Sequence, residues 1–281
     1  MSLNMALRII SSLVLAPIVL CAIWFGKMVY EDYGIPLYSI LLAVFGAGLA
    51  WEWETMFRRT FSARGLIIAL TAFLTAFISE GNPTFVLWLI LLGTAAVMWK
   101  TNGDVKFALG VPYICLPLLS LGYIYYVNDA ISREIVLWLF FVVWATDIGG
   151  LMIGSTVKGP KLAPRISPKK TWSGFIGAIL FAIAVAYVFV LYLKAYNLVP
   201  ASAPYAVHLT RVLLVSALIL SVVSQIGDLF ESGIKRKLGL KDSSNLIPGH
   251  GGLFDRVDGL LFASVVAAIG LYAVNNGCFF R

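Results

Sequence analysis

Nine stretches of this chain are apolar over nearly the length needed to cross a lipid bilayer, and no other feature constrains the fold as much. A helical crossing takes about 20 mostly apolar residues. Runs of that kind fall at about 8–26, 34–51, 65–80, 84–99, 107–127, 135–155, 174–194, 211–228 and 257–276. The third and fourth are short enough to be partial or tilted. No alternation of apolar and polar residues over ~10 positions recurs, which disfavours a membrane barrel. The expectation is an all-α integral membrane protein, a polytopic bundle of about nine transmembrane helices in one domain over residues 1–281. Composition agrees, with 60% of residues apolar and only 12% charged. Soluble globular chains sit nearer half and a quarter, so a water-soluble enzyme, a disordered chain and a disulfide scaffold are set aside. The first run lacks a small-residue cleavage site and reads as an anchor rather than a signal peptide.

The charges give the runs a direction. Lys and Arg total 21 against 14 acids, a net +7. With the N-terminus on one side, 16 of the 21 basic residues fall in segments on that side and 5 on the other. This bias predicts a cytoplasmic N-terminus. It accounts for the basic excess as membrane topology rather than nucleic-acid binding. Trp51, Trp53, Trp99 and Trp172 fall near predicted ends, where interfacial aromatics belong. Cys21, Cys115 and Cys278 sit in apolar surroundings without a paired spacing, and His208 and His250 are too few for a His-based metal site.

The chemistry gathers in two cytoplasmic connections. The segment 224–258 contains Asp228 at the expected end of the eighth run, then Ser232, Lys235, Arg236, Lys237, Lys241 and Asp242. Pro248, Gly249, His250, Gly251 and Gly252 follow, and Asp255, Arg256 and Asp258 open the ninth run. Asp255 and Asp258 are three residues apart, so a helix puts both on one face. A hairpin of the two helices would bring them to Asp228. Hard carboxylate oxygens suit Mg²⁺, which also takes substrate phosphates as ligands. The surrounding lysines and arginines suit phosphate. Helix capping would explain Asp255 and Asp258, but not an acid at a helix C-terminus. His250 is read first as part of the Gly-rich turn. Glu231 and Asp242 are expected at the surface, as are Glu52 and Glu54 in the second connection.

The second cluster, 144–174, begins with Asp147 inside the sixth run. An ionisable group there costs ~2.5–3.5 kcal/mol at a bilayer centre on insertion scales, so a polar cavity or a partner is expected. Lys158, Lys161, Arg165, Lys169 and Lys170 follow in a loop stiffened by Pro164 and Pro168. Thr171 or Ser173 is placed to cap the seventh span. Its positive end then adds to an anion-binding field around Lys169 and Lys170.

The pattern Ser232-x-x-Lys235-Arg236-x-x-x-x-Lys241-Asp242, followed by His250-Gly251-Gly252-x-x-Asp255-Arg256-x-Asp258, resembles the signature of the CDP-diacylglycerol synthases (phosphatidate cytidylyltransferases). Ile166-Ser167-Pro168-Lys169-Lys170-Thr171-Trp172, with Trp144-x-x-Asp147 before it, resembles a second block of that family. Two departures stand out. Gly150-Leu151 occupies a place where the family often has Ala-Tyr, and Ser173 one where it has Glu. The resemblance implies transfer of CMP from CTP to phosphatidic acid, with Mg²⁺ required and a monovalent cation such as K⁺ sharing the site; the size of the chain suggests a bacterial inner membrane. It implies metal ligation by Asp228, Asp255 and Asp258, with Ser232 and Lys235 at the phosphates. Arg236, Lys241, His250 and Arg256 complete the substrate-binding set with Asp147, Lys169 and Lys170.

The rival readings are a CTP-dependent polyprenol or dolichol kinase and, from a different class, an ion-coupled transporter using Asp147 and Asp228. The run typical of CDP-alcohol phosphotransferases is absent. Small residues such as Gly46 and Gly48 admit close helix contact, which is compatible with a homodimer.

Overall fold

The computed structural model describes residues 3–58, 60–79, 82–127, 131–196, 198, 206–247, 249 and 251–275. Pro248, His250 and Cys278 lie outside them, as do the side chains of Arg8 and His208. The elements in order are α1 (Leu3–Tyr33), α2 (Leu37–Arg58), α3 (Ala63–Ile78), α4 (Pro83–Lys100), α5 (Val105–Ala108), α6 (Gly110–Tyr126) and α7 (Ser132–Val157). Then come β1 (Lys161–Ala163), β2 (Ser167–Thr171), α8 (Trp172–Ala195), α9 (Ala206–Lys237) and α10 (Phe254–Asn275). Each of the nine apolar runs coincides with a helix over most of its described residues. Among the described residues, eight helical segments are long and apolar enough to cross a membrane, α5 and α6 together making one of them. The ninth, α3, has 16 residues, about 24 Å at helical rise.

The chain separates into two compact units. The first comprises Met1–Asp129 and Ile234–Val257; the second comprises Ala130–Gly233 and Asp258–Arg281. The boundaries fall within α9 and α10.

In the first unit α2 packs on α3 and α6 where side chains are small. A Cβ at Gly46 would fall 2.7 Å from Leu118 and 2.9 Å from Ala72, and one at Gly48 would fall 2.9 Å from Leu253. The close contacts these glycines permit are therefore made within the chain. Trp53, expected at an interface, is instead 2% exposed. Its Nε1 donates to the Phe107 carbonyl at 2.9 Å. Together with Tyr113 it encloses Phe254, the first residue of α10, with ring centroids 6.0 Å and 5.6 Å from that side chain. Trp99, at 82% exposure, does face outward.

In the second unit α7 and α8 approach through glycines. A Cβ at Gly177 would meet Ile153 at 2.4 Å, and one at Gly149 would meet Phe181 at 2.6 Å. Between these helices β1 and β2 form an antiparallel hairpin pairing Lys161 with Thr171 and Ala163 with Ser167, where a loop was expected. Thr171 ends the hairpin and caps α8, its side chain accepting from the Gly174 amide at 3.1 Å. Ser173 instead donates to the Lys158 carbonyl. Large apolar side chains stand outward along the helices, among them Leu92 at 67%, Leu151 at 73% and Leu180 at 62% exposure. That much apolar surface is stable in lipid and not in water.

Candidate active site

α9 runs nine residues beyond the expected end of its apolar stretch, to Lys237. No proline interrupts 229–237. The stop comes at Gly239, in the left-handed region at φ +72°. The Leu240 amide closes back on the Lys235 carbonyl at 2.8 Å, the glycine-terminated end common to helices. Lys235, Arg236 and Lys237 occupy the last turn, where positive charge complements the exposed carbonyls. Asp228 is therefore an interior helical residue and not the C-terminal one expected, because the helix continues past its apolar stretch. Asp228, Ser232 and Lys235 fall at i, i+4 and i+7, on one face of α9.

In the second unit α9 meets α10 through Ser224, Gly227 and Phe230. A Cβ at Gly227 would fall 2.7 Å from the Asp258 carbonyl oxygen, and one at Gly259 would fall 2.3 Å from Ser224 Oγ. Phe230 and Phe262 pack beside them at 5.3 Å. Asp258 is held by the Gly259 amide at 2.7 Å. It lies within electrostatic reach of Asp228, Asp147 and Glu231. Asp228 accepts from Ser232 at 3.3 Å and pairs with Lys170, from β2, at 2.5 Å. Glu231, expected at the surface, is 2% exposed, because the longer helix carries it inside. Asp147 is an exposed residue of α7, and Lys169, next to Lys170, is exposed.

In the first unit Asp255 is gripped from several directions. Lys235, itself 7% exposed, donates to Oδ1. Oδ2 accepts from the Gly252 amide at 2.8 Å and from Ser243 through both its amide at 3.0 Å and its hydroxyl at 3.1 Å. Gly251, at φ +85°, pairs with Ile247 and turns the chain into this arrangement. Lys241, Asp242, Arg236 and Arg256 are exposed, and Arg236 donates to the Leu240 carbonyl at 3.1 Å. The surface position expected for Asp242 holds.

Glu52 and Glu54, expected at the surface, are both fully buried. α2 extends to Arg58 rather than ending near residue 51, so both acids sit inside a helix. Glu54 accepts from the Ser62 amide at 2.8 Å and the Gly65 amide at 2.9 Å, satisfying the start of α3. Glu52 accepts from Ser244 and from the amides of Leu253 and Phe254, and the Ser243 hydroxyl lies 3.1 Å from its Oε2, shared with Asp255. The signal for them was two acids closing an apolar run without a helix breaker.

Among the described residues no group of three or more His, Cys, Asp or Glu side chains is arranged to hold a metal ion. Ammonium groups sit on Asp228 and Asp255. The donors are nonetheless hard carboxylate oxygens, and around Asp258 the acids outnumber the paired lysine. Donor sets of this kind suit Mg²⁺.

Comparison with known proteins decides the family, because the cytidylyltransferase family model matches residues 6–274. The chain belongs to the cytidylyltransferase family. A family member from Brucella suis biovar 1 (strain 1330), named phosphatidate cytidylyltransferase, is 37% identical over 273 residues, covering 94% of this chain and 92% of its own length. One of the same name from Rickettsia conorii (strain ATCC VR-613 / Malish 7) is 30% identical over 263 residues, covering 94% and 89%. A third, from Staphylococcus haemolyticus (strain JCSC1435), is 34% identical over 197 residues, covering 62% and 72%. The cytidylyltransferase match takes in both clusters described above.

Proposed function

We propose that this membrane protein is a phosphatidate cytidylyltransferase, making CDP-diacylglycerol and pyrophosphate from CTP and phosphatidic acid. Membership of the family along nearly the whole chain carries the reading. A phosphatidate oxygen attacks the α-phosphorus of CTP, forming the new P–O bond as the bond to the pyrophosphate oxygen breaks. Such transfers need positioning and charge neutralisation more than covalent help. Lys235, Arg236 and Lys241 hold the triphosphate. Lys169 and Lys170 serve the lipid phosphate, which requires Lys170 to exchange its carboxylate partner for substrate. Ser232 lies on the same face of α9 as Asp228 and contributes a hydroxyl to the phosphates. Arg256 adds positive charge beside Asp255, and His250 is a further substrate-binding candidate from the sequence pattern.

Asp228, Asp255 and Asp258 are the residues proposed, on the sequence pattern, to hold Mg²⁺. When bound, Mg²⁺ offsets charge on the phosphate oxygens. We place the N-terminus and the site on the cytoplasmic side of a bacterial inner membrane, supported by the 16 to 5 distribution of basic residues and by relatives that are bacterial. That side supplies CTP, while phosphatidate presents its phosphate at the leaflet surface.

The test is purified protein with phosphatidate, Mg²⁺ and CTP labelled at the α-phosphate. Label in the lipid fraction is expected. Lipid labelled only from γ-labelled CTP would make the protein a kinase and overturn the reading.

A further inference from the structure

Glu52 is an acid without a task in the scheme above. It is 0% exposed, so no substrate reaches it. A buried carboxylate persists only when donors replace its water, and here they come from one short stretch of chain. Leu253 N donates to Oε1 at 2.6 Å and Phe254 N to Oε2 at 2.8 Å. Ser244 Oγ donates to Oε1, and Ser243 Oγ lies 3.1 Å from Oε2.

The two amides open α10, where a helix leaves N–H groups unsatisfied. A polar residue just before the helix normally accepts from them. That residue here is Leu253, which has no acceptor on its side chain. Glu52 supplies the missing acceptor from another helix, and its charge suits the positive end of α10. The same Ser243 hydroxyl lies 3.1 Å from Oδ2 of Asp255. One serine thus touches both carboxylates, and the turn between them is tight. A Cβ at Gly252 would fall 1.7 Å from Ser243 Oγ and 2.6 Å from Glu52 Oε1.

We propose that Glu52 is a positioning residue for cytidylyl transfer: by holding Ser243 and the first turn of α10, it sets the direction of the Asp255 carboxylate and of Lys235 paired with it. The inference rests on the role given to Asp255 above. Side chains that orient a metal-binding group typically cost 10- to 100-fold when changed.

The test uses Glu52→Gln in the full-length protein in detergent. The amide NH₂ keeps the volume but sets a donor against donors. Turnover per folded molecule should fall about 10- to 100-fold, and half-saturating Mg²⁺ should rise about 10-fold. Two readouts do not depend on turnover. Mn²⁺ binding without substrate, followed by electron paramagnetic resonance, should weaken. Amide exchange should quicken in peptides spanning 243–255 and stay unchanged in α4. Glu52→Asp, which keeps the charge on a shorter arm, should recover part of the Mg²⁺ dependence.

A Glu52→Gln protein that is merely less stable, with wild-type Mg²⁺ dependence and Mn²⁺ binding, overturns the proposal. If Glu52→Gln fails to insert, Ser243→Ala carries the test: the same shift in Mg²⁺ dependence supports the proposal and no shift overturns it. Asp255→Asn is the control. Full activity there overturns the site reading itself. An inactive Asp255→Asn beside an unaltered Glu52→Gln overturns only the role of Glu52.

Discussion

Removing Lys170 should expose how much the acidic cluster of the second unit depends on a single cation. Lys170 Nζ lies 2.5 Å from Asp228 Oδ2, with side chains 23% and 29% exposed. At an effective dielectric near 20 the gross attraction at that distance is about 7 kcal/mol. Desolvation of two partly buried ions takes back several kcal/mol. Exposed pairs are worth about 0–1 kcal/mol, and breaking a fully buried one costs about 3–5 kcal/mol. This pair lies between those limits, so a net coupling of about 1–3 kcal/mol is expected. Lys170→Met leaves Asp228 near Asp258, whose other neighbours include Asp147 and Glu231. It should destabilise the protein more than the same change made in an Asp228→Asn background. The assay is a double-mutant cycle on thermal unfolding in detergent without Mg²⁺: wild type, Lys170→Met, Asp228→Asn and the double variant. Coupling below about 0.5 kcal/mol is what independent sites show. That result would refute the claim that Lys170 neutralises this cluster.

Three further outcomes are expected. Asp255→Asn should insert and purify normally yet fail to put α-labelled CMP into lipid; near-wild-type turnover would count against its role in the site. Gly227→Val pushes a side chain into a space where even a Cβ meets the Asp258 carbonyl at 2.7 Å. It should cost about 1–3 kcal/mol by overpacking, read as a lower melting temperature, and unchanged melting would show that α9 and α10 do not pack closely there. Glu54→Ala strips the Ser62 and Gly65 amides of their acceptor. It should cost about 2 kcal/mol or more, with faster amide exchange confined to the start of α3. Wild-type exchange there would remove Glu54 as the cap.

The membrane helices were legible because lipid imposes a length and a composition that the chain shows directly. The ends were less so. Apolar content marks where a helix leaves hydrocarbon, not where its hydrogen bonding stops. α2 and α9 therefore ran past their apolar runs, to Arg58 and Lys237. Both extensions place acids inside helices: Glu52 and Glu54 in α2, Glu231 in α9. In α9 the stop was available to reading, since three basic residues followed by Gly239 are a helix-ending sequence. The β1–β2 hairpin is short and its residues are mostly polar, so periodicity carried no signal for it. Thr171 as a cap was readable because capping depends on neighbours within three residues.

The chain alone settles that this is a helical membrane protein, which stretches are apolar enough to be candidate crossings, and which two segments carry acids beside lysines. Those properties depend on residues close together in sequence, where hydrophobicity and spacing act directly. Only the folded structure decides which carboxylates are spoken for. Glu52 finds its donors 191 to 202 residues away, and Asp228 finds Lys170 on a different element. A charged group's state depends on the donors that surround it after burial, and those are brought together only when the helices pack.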